Sequence, residues 1–171
     1  MTDDNVRAIL VQRLKENLPS IRKIVGWSGA GFGKLLDLSR QSVSKLETGT
    51  SDLSVAQFIA IRHILDAWVA AHPEYKTLPR IFHLLLDERR IWGHCYKELR
   101  EIAKSIAAAK MSGVDIETID KTAKMQLDEW EKNAWKYCLE HLKEDCIAGL
   151  VGVGPEDIPA DWTEVIMRGV V

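Results

Sequence analysis

Apolar residues recur at intervals of three, four and seven along most of the chain, and this helical spacing restricts its fold more than any other feature. Two series with a period of seven are Leu85, Trp92, Leu99, Ile106 and Ile116, Ala123, Trp130, Tyr137. No segment shows the alternation of apolar and polar residues, rich in β-branched side chains, that is typical of a strand. The sequence therefore predicts an all-α fold.

Turn-forming residues divide the chain into two parts. His72-Pro73 ends an apolar helical segment, because the residue before a proline disfavours the helical conformation. We predict an N-terminal domain over residues 1–72, a linker over 73–79 and a second helical domain over 80–171.

The N-terminal part is predicted to contain five short helices. The first ends near Leu18, and Pro19 can open a second one that ends at Gly26, since proline is tolerated at the first helical position. Ser54 and Gln57 have the S-x-x-Q spacing of a capping box, which predicts the start of the fifth helix.

The C-terminal part is predicted to be a long helical hairpin. One helix covers 80–110, a turn follows, and Asp115 caps a second helix over 116–149. A short final helix is predicted over 161–168. The apolar stripes of the two long helices predict dimerisation or the binding of a partner protein. The predicted contact residues are Trp92 and Leu99 on one stripe and Trp135, which lies off the main stripe of its helix.

Charge and cysteine content limit the class of protein. The formal net charge is −2, but residues 1–72 carry nine Lys/Arg against seven Asp/Glu, whereas the remainder carries fourteen against eighteen. A basic N-terminal part and an acidic C-terminal part fit a domain that binds nucleic acid joined to a second domain that contacts something else. Three cysteines, no basic-apolar leader and no apolar run of membrane length predict a cytoplasmic protein without a membrane partner.

The segment 34–48 has the layout of a helix-turn-helix. One helix ends at Leu35-Leu36, the turn is Asp37-Leu38-Ser39, and the next helix begins at Ser39, whose hydroxyl can cap it. Val43 and Leu46 form the predicted buried side of this second helix. The residues predicted to lie on its exposed side are Arg40, Gln41, Ser44 and Lys45. Arginine and lysine donate to guanine, and glutamine pairs with adenine, so the exposed side has the chemistry of base recognition.

These residues resemble the helix-turn-helix domains of the Cro and phage-repressor family, also called the xenobiotic-response-element (XRE) family. The resemblance covers residues 20–66 and is carried by Ser28, Phe32, Leu35, the run from Leu38 to Glu47, Gly49 and the capped helix from Ser54. It implies a five-helix domain of the lambda-repressor type that binds double-stranded DNA as a homodimer on a pseudo-palindrome.

The resemblance also implies roles for individual positions. Base contacts would come from Arg40, Gln41, Ser44 and Lys45. Phosphate contacts would come from Ser28, Ser39, Ser42, Thr48 and Thr50. Arg22 and Glu47 stand where the family often has an internal ion pair.

The chain departs from the family at several positions. Gly29, Gly31 and Gly33 replace a polar residue, a glutamate and an alanine, and Thr50 replaces a basic residue. Because glycine in an exposed helix costs about 1 kcal/mol relative to alanine, we expect an unstable second helix and an affinity for DNA that is modest or depends on dimerisation.

These features predict a sequence-specific transcriptional regulator. Two alternatives stay open: an antitoxin-type regulator whose C-terminal helices bind a partner protein, and an interaction module whose helix-turn-helix does not bind DNA. No catalytic arrangement and no zinc-ligand spacing is found, so we expect no enzymatic activity, no cofactor and no metal site.

Overall fold

The computed structural model describes residues 3–88 and 93–140, and within them every regular element is a helix. The helices are α1 (Asp3–Val25), α2 (Gly29–Leu35), α3 (Arg40–Thr48), α4 (Val55–Ala71), α5 (Thr77–Leu86), α6 (Gly93–Met111) and α7 (Ile116–Glu140). The predicted all-α class is confirmed for this part of the chain. Trp92 and the predicted helix at 161–168 lie outside the described residues.

Helix α1 is a single helix, although two were predicted to meet at Pro19. It continues through the proline as far as Val25 and ends where Gly26 adopts a positive φ of 83°. Leu14, Leu18 and Ile21 are almost completely buried at helical spacing on both sides of Pro19. Their burial stabilises the continuous helix against the roughly 3 kcal/mol that an internal proline costs.

Helix α1 is the centre of the molecule. It packs against α3 and α4 from the N-terminal part of the chain and against α5 and α6 from the C-terminal part. Its buried leucines and isoleucines therefore belong to one continuous core that includes Phe32, Val43, Leu85 and Leu99. The same helix contacts α3, on which α2 packs, and α6, on which α7 packs.

The first long helix predicted for the C-terminal part, over 80–110, is two helices. Helix α5 ends at Leu86 and α6 begins at Gly93, so the period of seven from Leu85 to Leu99 crosses a break. Helix α5 begins at Thr77, within the segment predicted as a linker, and Leu78 is fully buried. This helix packs against α1, α6 and α7, which explains why it carries so many buried residues.

The start of α5 is capped by a side chain from α7. Lys76, the residue before the helix, makes no capping hydrogen bond. Instead, Asp120 Oδ1 accepts hydrogen bonds from the backbone N–H groups of Thr77 at 3.2 Å and Leu78 at 2.9 Å. A carboxylate at this position satisfies two otherwise unpaired donors and interacts favourably with the helix dipole.

Helices α6 and α7 pack against each other across a short turn that contains Gly113. Asp115 caps α7, as predicted, and accepts hydrogen bonds from the Thr118 backbone N–H at 2.9 Å and the Thr118 hydroxyl at 2.7 Å. Hydrogen bonds from the side chain and then the backbone of Thr118 lower the pKa of Asp115. This cap therefore stabilises the fold at neutral pH and is lost as the pH falls through the lowered pKa.

The centre of the interface between α6 and α7 is apolar. Leu99, Ala103, Ala123 and Leu127 are buried. The indole Nε1 of Trp130 donates a hydrogen bond of 2.8 Å to the backbone carbonyl of Cys95. In the part of the chain that the structure describes, no helix is long and apolar enough to cross a membrane.

Candidate nucleic-acid interface

Helix α2 is short and is held at its start by a cap and a ring contact. Ser28 precedes the helix, and its hydroxyl accepts a hydrogen bond of 2.9 Å from the Gly31 N–H. Phe32 is completely buried and stacks on Trp27, with ring centroids 5.5 Å apart. These contacts anchor α2 to the core.

The turn between α2 and α3 has the hydrogen bonds of a Schellman motif. The Leu38 N–H donates to the Gly33 carbonyl at 2.7 Å, and the Asp37 N–H donates to the Lys34 carbonyl at 3.4 Å. Asp37 takes the left-handed position of the motif, with φ of 55°. Aspartate tolerates this conformation better than most residues other than glycine, so the turn is tight without a glycine.

Gly33 is required by this turn. A Cβ atom at position 33 would lie 2.4 Å from the backbone oxygen of Leu38, much closer than atoms can approach. At Gly29, the nearest atom to an added Cβ would be Arg40 Cγ at 3.5 Å, which is ordinary contact. The expectation that all three glycines weaken α2 is therefore wrong for Gly33, which lets α2 pack closely on the backbone at the start of α3.

Helix α3 is fixed at both ends and along its buried side. The Ser39 hydroxyl accepts a hydrogen bond of 3.1 Å from the Ser42 N–H, and Gly49 ends the helix with a positive φ of 81°. Val43 and Leu46 are buried against the core. The helix is therefore rigid in position while its other side faces solvent.

The four residues predicted to contact bases share this solvent-facing side. Arg40, Gln41, Ser44 and Lys45 are all exposed. Among the described residues, the side chains of Arg40, Gln41 and Lys45 make no hydrogen bond or ion pair, so their donors remain free for a ligand. They lie in the first two turns of α3, the part of a recognition helix that reaches base edges.

The hydroxyls predicted to contact phosphate lie at the two ends of α3 or at the start of α2. Ser39 and Ser42 are 2.9 Å apart, oxygen to oxygen. The Thr48 hydroxyl donates to the Ser44 carbonyl at 2.9 Å, and the Thr50 hydroxyl donates to the Lys45 carbonyl at 3.2 Å. The protons of Thr48 and Thr50 are held in these local bonds, so phosphate binding there requires an exchange of partners. Only one of Ser39 and Ser42 donates in their shared bond, and the Ser28 hydroxyl only accepts, so donors remain at the starts of α2 and α3.

Arg22 and Glu47 connect α1 to α3. The guanidinium Nε donates to Glu47 Oε1 at 2.5 Å and Nη2 donates to Oε2 at 3.2 Å, while Nη1 donates to the Trp27 carbonyl at 2.8 Å. Both side chains are about 15% exposed. A two-pronged pair of this kind fixes the rotation of α3 about its axis, and hence the direction in which Arg40 and Lys45 point.

Lys34 is a residue that the sequence analysis did not assign to the interface. It lies in the last turn of α2 and is exposed, with no ion pair among the described residues. Its neighbour in the turn, Asp37, is an exposed acid. The residue type alone does not predict a role for Lys34 in the interface, because a lysine at the end of a helix is also common on solvated surfaces.

The residues predicted for a dimer or partner interface behave differently from one another. Leu99 is fully buried between α6 and its neighbours within one copy of the chain, so its side chain is not accessible to a partner. Trp135, on α7, is 44% exposed. The heptad pattern did not distinguish a core position from an interface position, because both require apolar residues at the same spacing.

No group of three or more His, Cys, Asp and Glu side chains that could hold a metal ion exists in 6–88 and 94–137. Comparison of the chain with protein-family models, with curated proteins and with solved structures gives no match. The candidate site is therefore defined by the geometry of α2, the turn and α3.

Proposed function

We propose that this protein is a sequence-specific, DNA-binding transcriptional regulator of the XRE helix-turn-helix class. The observation that carries the proposal is the solvent-facing side of α3, where Arg40, Gln41 and Lys45 are exposed without partners in the chain on a helix whose other side is buried. In this proposal α1 to α4 form the DNA-binding domain, and α6 and α7 form the helical hairpin of the body.

Recognition in this proposal uses the donors on α3. Arg40 and Lys45 donate to guanine O6 and N7, and Gln41 pairs with adenine N6 and N7 when α3 enters the major groove. Ser44 lies between them on the same side of the helix. The Arg22–Glu47 pair holds this side outward, and the capping hydroxyls of Ser28 and Ser39 approach the backbone phosphates together with Ser42, Thr48 and Thr50.

The proposed regulator is a cytoplasmic homodimer that acts by occupying an operator, without catalysis and without a cofactor. A dimer places two copies of α3 in successive major grooves, so the operator is a pseudo-palindrome with half-sites about one helical turn apart. Lys34, which sequence reasoning did not assign, adds a positive charge at the end of α2 that fits a phosphate.

The test is a selection of random duplex DNA on the full-length protein. We expect an enriched two-fold motif with the wild type and none with the double variant Arg40→Ala, Gln41→Ala. The matched control is Lys132→Ala, Asn133→Ala, which removes one cation and one amide from exposed positions of α7. Loss of the motif in both double variants, or no enrichment for the wild type at low salt, would refute the proposal.

A second candidate is an antitoxin-type regulator whose C-terminal helices bind a partner protein. The observation that favours it is the exposure of Trp135, since tryptophan is enriched in protein interfaces, together with the acidic balance of residues 73–171. It predicts that Trp135→Ala abolishes capture of a protein encoded by a neighbouring gene while DNA selection is unchanged. If the captured protein is the same with wild type and variant, Trp135 has no such role.

A further inference from the structure

Helix α4 has one side packed on the core and one side exposed. Ile61 and Leu65 are buried, and Trp68 contacts Phe82 of α5 with ring centroids 6.3 Å apart. The residues on the opposite side are all exposed: Val55, Ala56, Ile59, His63, Asp66, Ala67 and Ala70. At the spacing of an α-helix these seven residues occupy an arc of about 120° and a length of about 22 Å. We call this surface the outer face of α4.

The outer face is unusually apolar for a solvated surface. Five of its seven residues are apolar, and Ile59 is 61% exposed and Val55 46% exposed. The exposed side of a surface helix is normally polar or charged. The outer face has no lysine or arginine, so it is also unsuited to phosphate.

We propose that the outer face of α4 is the two-fold interface between two copies of this chain, with the two α4 helices packed antiparallel. This interface rests on the proposed function, because it locates the dimer of the proposed regulator. Its contact residues take the place of Leu99, which is buried within one copy of the chain. A two-fold interface uses the same patch on both copies, so the patch must be complementary to itself.

The distribution of side-chain size on the outer face gives this complementarity. The large residues, Val55 and Ile59, lie in the first half of the helix, whereas the second half has Ala67 and Ala70. Antiparallel packing about an axis near residues 64 and 65 places Ile59 of each copy against Ala70 of the other. Each Ile59 side chain then fills the space that an Ala70 leaves, as close packing requires.

The two polar residues of the outer face are complementary in the same arrangement. The axis that pairs Ile59 with Ala70 also places His63 of one copy opposite Asp66 of the other, so an imidazole N–H faces a carboxylate twice. Asp66 Oδ1 lies 4.0 Å from Arg62 of its own chain, which leaves Oδ2 available for this contact. A charged or strongly polar partner would not be matched by this surface, whereas a second copy matches both its charge and its shape.

The test is the mass of the full-length protein in sedimentation velocity, without DNA. We expect the wild type to sediment as a dimer and Ile59→Glu to have half that mass with an unchanged helical circular dichroism spectrum. The matched control is Met125→Glu, which places the same charge at an apolar residue of α7 that is 74% exposed, and it should remain dimeric. A monomeric wild type, or an Ile59→Glu variant that stays dimeric, would overturn the proposal.

A cross-linking experiment tests the register without depending on one variant's folding. Ile59→Cys and Ala70→Cys variants are mixed and treated with a short bismaleimide. In the proposed register residues 59 and 70 face each other, whereas like positions are separated by about 16 Å along the helix. Cross-linking above the wild-type background should be strong in the mixture and weak in each variant alone. Equal cross-linking in all three samples would contradict the antiparallel register.

The dimer and the DNA proposal are tested separately. A dimer that needs Ile59 but enriches no DNA sequence would support the interface and reject the DNA-binding function. A monomeric wild type that enriches a single half-site would do the reverse.

Discussion

At the scale of single residues, the orientation of α3 depends on two positions in the preceding turn. Gly33 allows the Leu38 carbonyl to approach the backbone of α2, and Asp37 takes the left-handed conformation that redirects the chain. Neither residue contacts a ligand in the proposed function. Both determine where the free donors of α3 point.

Gly33→Ala should lower the free energy of unfolding by about 1–3 kcal/mol, because the added Cβ collides with backbone that cannot move alone. Gly29→Ala is the control, since its Cβ would make only ordinary contact with Arg40. Urea unfolding of the two variants gives the comparison. If Gly33→Ala is as stable as the wild type, the close approach of Leu38 to α2 is wrong.

At the scale of elements, contacts between helices distant in the chain position the candidate site. The Arg22–Glu47 pair joins α1 to α3, and Asp120 of α7 caps α5. Because α5 and α6 both pack on α1, as α3 and α4 do, the C-terminal helices and the helices of the candidate site share one support. A change at these contacts should affect stability and site geometry together.

Glu47→Ala should destabilise the fold by about 3 kcal/mol, since it leaves the mostly buried Arg22 without its carboxylate. Replacing both residues by apolar ones, as Arg22→Met with Glu47→Leu, should restore most of the loss. Thermal unfolding measures both. A Glu47→Ala variant as stable as the wild type would show that the pair does not hold α3 on α1.

Asp120→Ala should reduce stability by about 1–2 kcal/mol, because two N–H groups at the start of α5 lose their acceptor. Asp128→Ala is the matched control: Asp128 is an exposed carboxylate of the same helix, paired with Lys124 at the surface, where such pairs contribute little. Chemical unfolding of the two variants is the measurement. Equal losses would mean that Asp120 does not act as a cap.

At the scale of the whole molecule, features set by local sequence signals were predictable, whereas features set by long-range contacts were not. The caps at Ser39 and Asp115 and the capping box at Ser54 and Gln57 were predictable, because capping joins residues only two or three positions apart. The buried side of α3, formed by Val43 and Leu46, was also predictable, because their spacing of three places them on one side of a helix.

Features that depend on tertiary packing were not readable. The continuity of α1 through Pro19, the separation of α5 from α6 and the burial of Leu99 all result from packing around α1. The cap from Asp120 joins residues 42 positions apart, and no local pattern indicates it. The apolar outer face of α4 was visible only once the other side of the helix was known to be buried.

Base reading by α3 is best measured as the affinity of wild type and Arg40→Ala for an enriched duplex and a scrambled one across a range of salt concentrations. We predict that wild-type affinity falls steeply and log-linearly with salt, and that Arg40→Ala loses about 1–3 kcal/mol on the enriched duplex with a much smaller change on the scrambled one. Lys132→Ala, an exposed cation of α7, should match the wild type on both. Equal losses on the two duplexes, or binding that is insensitive to salt, would contradict base reading by α3.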